Sequence, residues 1–108
     1  MAYDNDHAAL MRRELDAHAP REQRMFGALC FMVRGNMVCG VRASGAMFRV
    51  GKAAMGAALD LDGVGHIIMG ARSMSGYVGA DIDAFEDDTT RATLLQLALD
   101  FNATLPAK

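Results

Sequence analysis

The 108 residues predict an α+β domain: two layers, with an antiparallel five-stranded sheet in the order α-β-β-β-α-β-β-α. Three observations carry this. Arg24–Val41 reads as two apolar, glycine-punctuated strands joined at Arg34-Gly35-Asn36, a hairpin pattern. Leu94, Ala98, Phe101 and Leu105 recur at steps of four, three and four, the period of a helix with one buried face. Helices are interspersed with hairpins and do not alternate one-for-one with strands, so a parallel sheet is not expected.

Asp4, Asn5 and Asp6 offer caps for a first helix, with Ala8, Met11 and Leu15 as its apolar stripe and Pro20 ending it after His18. Strands are expected at 25–33 and 37–42, then at Ala46–Val50 after a turn at Arg42–Gly45. Gly51 closes that meander, and Lys52–Leu61 is a short alanine-rich helix weakened by Gly56. His66–Met69 and Gly76–Ile82 are read as strands around a turn at Ala71–Ser75. Asp87-Asp88-Thr89 caps the last helix, and Pro106 stops it. No repeat, low-complexity tract or linker divides the chain, so one domain over 1–108 is expected.

A turn centred on Gly35-Asn36 would place Cys30, Met32, Cys39, Val41, Phe48 and Val50 on one sheet face. Leu29, Phe31, Val33, Val38 and Met47 would share the other, with Arg49 among them. The two cysteines then sit diagonally, poor geometry for a disulfide, and read as small buried hydrophobes. Both faces are apolar. Either a terminal helix covers the second set, or Leu29, Phe31, Val33, Val38 and Met47 form a surface for self-association, as in a homodimer, or for a protein partner.

Composition narrows the function. No apolar run reaches the length of a membrane span, and MAYDNDHAAL lacks the features of a signal peptide, so a cytoplasmic location with no membrane partner is expected. A net charge of −2 disfavours nucleic-acid binding. The charge is uneven: residues 1–58 carry eight Lys/Arg against five Asp/Glu, and residues 59–108 carry three against eight. Arg12, Arg13, Arg21 and Arg24 are where a nucleic acid would be met, and the acidic run from Asp81 to Asp88 reads as solvated helix-start charge.

No catalytic constellation is legible, so the chain is read as non-enzymatic. His7, His18 and His66 form no metal-ligand spacing, and Cys30 and Cys39 form no C-x-x-C pair; no cofactor is expected. Ser44, Ser73 and Ser75 lie outside any G-x-S-x-G elbow, and Cys39 has no predicted helix start to activate it. Gly63-Val64-Gly65 opens no helix and lacks the third glycine of a dinucleotide loop. The alternative function is binding of a small molecule or anion. Arg49-Val50-Gly51-Lys52 runs from a strand through glycine into a helix start, and Arg49, Gly51 and Lys52, joined by Arg72, are the candidate residues.

The chain resembles the TfoX N-terminal domain family over residues 24–108. The resemblance lies in Arg24-Met25-Phe26-Gly27, Gly35-Asn36-Met37, Cys39-Gly40-Val41, Arg49-Val50-Gly51, the Met69–Val78 turn and strand, and the closing Leu105-Pro106-Ala107-Lys108. Ala28, Ser73 and Ser75 depart from the family's glycine, proline and lysine. The resemblance implies an antiparallel α+β domain of secretion-chaperone-like architecture. It also implies a regulatory or interaction module without catalysis, since the family's named members regulate competence together with the cyclic-AMP receptor protein. Those members carry a second domain, whereas the match here is to the first, read as a stand-alone domain.

Overall fold

The computed structural model describes residues 3–25, 27–69 and 71–108. The Asp4 carboxylate accepts from the backbone N–H groups of Asp6 and His7 at 2.7 and 3.2 Å and so starts α1 (Asn5–Leu15). α1 buries Ala8, Met11 and Leu15, the stripe read from their spacing. Strands β1 (Arg21–Met25), β2 (Ala28–Val33), β3 (Asn36–Arg42) and β4 (Gly45–Arg49) follow. A 3₁₀ turn, Lys52–Ala54, enters α2 (Met55–Leu59), and β5 (Val64–Met69), β6 (Arg72–Ala80), α3 (Ile82–Glu86) and α4 (Asp88–Thr104) complete the chain. All neighbours in the sheet, ordered β1-β2-β3-β4-β6-β5, are antiparallel.

The fold class is the one predicted, with six strands in place of five. The additional strand is β1. Met25 pairs with Ala28, so the span expected as one strand from residue 25 is instead the end of one strand, a turn at Gly27 and the start of another. Phe26, part of the Arg-Met-Phe-Gly motif, lies outside the described residues, as does Gly70. Arg72–Ser75, read as turn, belong to β6. Ile82, read as the end of a strand, begins α3, because the Asp81 side chain accepts from Ala84 N–H at 2.8 Å and caps a new helix. Asp87 caps α4 in the same way through Thr90 N–H at 2.8 Å. Two members of the acidic run are therefore helix caps.

The β2–β3 register differs from the expected one, and the difference sorts the core. The tight turn is Arg34-Gly35, with Val33 opposite Asn36, and both turn residues have positive φ, 55° and 83°. Met32 pairs with Met37 but Phe31 pairs with Cys39, so Val38 is an extra residue in β3, a bulge. Relative to the expected pairing, β2 slips by one residue beside Cys39–Val41, and a one-residue slip exchanges faces. Leu29, Phe31 and Val33 thus join Val38, Cys39, Val41, Phe48 and Val50 in the main core. Over this face lie Met11 and Leu15 of α1, Phe85 of α3, and Leu94 and Ala98 of α4. Cys30 and Met47 lie on the opposite face with Ala28, Met37 and Ile67. The two thiols, buried as expected, therefore lie in different clusters and do not share a face.

Polar contacts tie the helices to each other and to the sheet. Buried Arg91 donates to Glu14 of α1 at 2.7 Å, to Asp88 at 2.7 Å and to the Phe85 carbonyl at 2.8 Å, joining three helices. At the β2–β3 turn, Arg34 donates to the carbonyls of Asn102 and Leu105, and Asn36 Nδ2 donates to the Pro106 carbonyl at 2.9 Å. Lys108 N–H donates to the Arg34 carbonyl at 2.9 Å. Buried Asn102 donates to the carbonyls of Val33 and Asn36 at 3.1 and 3.4 Å. The hairpin turn and the closing tail are two halves of one clamp.

Candidate functional site

The first candidate surface does not survive the slip in register. Leu29, Phe31, Val33 and Val38 are 0–6% exposed beneath the helices, so none is presented to a partner. Met47, on the other face, is itself only 2% exposed. What that outer face does present is a ring of half-buried side chains packed around its small cluster: Met25, Met32, Met74 and Tyr77. Exposed Arg21 and Gln23 lie on the same face, opposite Met32 and Cys30. Arg42 and Arg49 also alternate onto it, from β3 and β4. Among the described residues the strands carry one carboxylate, Glu22; it pairs with Phe31 on the helix side and binds Arg12 of α1 at 2.8 Å. The outer face is thus apolar, rich in methionine and cationic.

The anion candidates divide. Arg49, Gly51 and Lys52 line one pocket of about 440 Å³ together with Gly76 and Tyr77 of β6 and Phe101 of α4. The exposed Arg72 starts β6 and lies outside this lining, roughly 10 Å up the strand from Ser75 at ~3.4 Å per residue. The Arg49 guanidinium sits 5.8 Å from the Tyr77 ring centroid and 5.4 Å from that of Phe101. No carboxylate among the described residues pairs with it. Val50 and Gly51 both donate their N–H groups to the Gly76 carbonyl, at 2.9 and 3.0 Å. The Gly51 N–H is therefore occupied, and the five-residue α2 is too short to present a dipole to an anion. Charge at this pocket comes from side chains. Sequence reading found Arg49 and Lys52 but not Tyr77 or Phe101, because only pairing and helix packing bring these rings beside the turn.

Both cysteines are free thiols and buried. Burial pushes the Cys39 thiol far up from its ordinary range and raises Cys30 as well. Neither is poised as a thiolate nucleophile. Among the described residues no group of three or more His, Cys, Asp or Glu side chains is arranged to hold a metal ion. Of the N-terminal arginines, Arg12 is paired with Glu22, Arg24 reaches Tyr3, and Arg21 lies on the outer face. No described helix is long and apolar enough to cross a membrane.

Residues 16–102 match the family described as TfoX N-terminal domain. No curated protein and no solved structure matches the chain.

Proposed function

We propose that this chain, which belongs to the TfoX N-terminal domain family, is a non-catalytic cytoplasmic module of transcriptional or competence-related regulation that works by binding another protein. The observation that carries this reading is the outer sheet face. Half-buried Met25, Met32 and Met74 offer polarizable, adaptable side chains of the kind that serve binding surfaces. Arg21 and Arg42 give that face positive charge, and among the described residues no strand carboxylate opposes them there. The complementary partner is an acidic protein segment with apolar side chains, steered by the arginines and seated on the methionines.

A photo-crosslinking residue placed at Met32, and separately at exposed Gln96 on α4, tests this in cells. Cross-links to one acidic protein from position 32 only, abolished by Arg21→Glu, are the expected result. Equal capture from both positions, or cross-links only between copies of this chain, would overturn it.

A further inference from the structure

We infer that the pocket between the exit of β4 and the C-terminal part of α4 binds a small planar anion: a flat, apolar or aromatic body bearing a carboxylate or phosphate. Three other arginines in this molecule are occupied by groups of the chain itself. Arg12 and Arg91 hold carboxylates, and Arg34 holds backbone carbonyls. Arg49 instead rests against Tyr77 and Phe101 and pairs with no carboxylate among the described residues. Aromatic faces attract and orient a guanidinium without neutralising it, leaving its N–H edge for an oxygen anion. Exposed Lys52 adds a second cation at the pocket wall.

The walls decide the rest of the ligand. Tyr77, Phe101 and the backbone of Gly51 and Gly76 form a surface on which a flat body can lie. A bare inorganic anion would meet the cations and leave those apolar walls in water. A neutral ring would cover the walls and leave the guanidinium without an anionic partner. A molecule with both parts meets both demands. At about 440 Å³ the space is also that of a small-molecule pocket.

The test is an NMR titration of the ¹⁵N-labelled chain with benzoate, adenosine 5′-monophosphate, inorganic phosphate and indole. Saturable shifts of the Gly51 and Gly76 amides are expected with at least one of the two ring-bearing anions. The one that binds identifies the anionic group. Phosphate and indole alone should bind about tenfold more weakly or worse. Arg49→Gln should weaken the tighter ligand by about tenfold, the scale of a lost charged hydrogen bond. Lys52→Ala, a surface change that leaves the fold alone, should weaken it several-fold, and Arg72→Ala should leave it unchanged. The inference fails if neither ring-bearing anion gives saturable shifts, if phosphate alone binds as tightly, or if Arg49→Gln and Lys52→Ala both bind like the parent chain.

Discussion

Two arginine–glycine turns in this chain look alike on paper and do opposite things. Arg34-Gly35 and Arg49-Val50-Gly51 each follow or end a strand of the meander, and both glycines have φ of 83°. At the first, the guanidinium donates to two carbonyls near the end of α4, and the chain's own last residues close over the turn. At the second, the guanidinium lies on two rings, with no carboxylate partner among the described residues, beside a pocket. The same two residue types form a clamp where backbone carbonyls arrive to meet the arginine and leave its charge unneutralised where only aromatic faces do. The difference lies in what α4 brings: Asn102 and its tail to one turn, Phe101 to the other.

The glycines give the largest separation between the two turns. A Cβ on Gly51 would clash with the Phe101 ring at Cδ1, whereas one on Gly35 would stand 2.7 Å from Lys108 Cβ. Phe101 belongs to α4 and cannot retreat cheaply; Lys108 is exposed and lies outside any helix or strand, and it can. Gly51→Ala should therefore cost about 3 kcal/mol, left-handed strain plus overpacking, and Gly35→Ala about 1–2 kcal/mol from strain alone. Urea denaturation at unchanged m-value measures both. Equal losses would mean that the tail at Lys108 is as rigid as the helix.

Between those two values lies the clamp itself. Asn102 is 3% exposed and satisfies the carbonyls of Val33 and Asn36. Asn102→Ala should cost about 2 kcal/mol, because it leaves buried acceptors without donors. Amide exchange should accelerate at the β2–β3 turn and leave the Gly51–Gly76 contact protected. Acceleration at both turns would show that they are one unit and not two.

Much of this was readable along the chain, and the failures have local causes. α1 and α4 follow their apolar periods because one face of each meets the core. β1 has no such pattern: Arg21, Glu22, Gln23 and Arg24 are all exposed on an edge strand, held by its ladder to β2 and not by burial. The bulge at Val38 is set by how β3 meets β2, so nothing in the neighbouring residues announces it, yet it decides which side chains are core. The pocket was half legible for the same reason. Arg49 and Lys52 are neighbours in sequence, whereas Tyr77 and Phe101 arrive from β6 and α4.

The smallest effect to look for is on the acid side. The Arg12 guanidinium holds the Glu22 carboxyl below its usual range, and backbone N–H groups of His7 and Thr90 do the same for Asp4 and Asp87. A carboxyl depressed in the folded chain binds fewer protons there than when unfolded. Its contribution is complete above the unfolded value near ~4 and is lost as pH falls through the folded one. Arg12 and Arg91 are raised, so their contributions persist through neutral pH and disappear only in strong alkali. The melting temperature should accordingly hold from neutral pH down to about 5 and then fall. Asp87→Ala should lower it at pH 7, with the variant and parent curves converging in acid as the parent's Asp87 is protonated. Arg49→Gln should leave the shape of that acid limb unchanged, because no carboxylate among the described residues pairs with Arg49. A shallower limb in Arg49→Gln would mean that a carboxylate does answer it in solution, and the two arginine turns would then be alike after all.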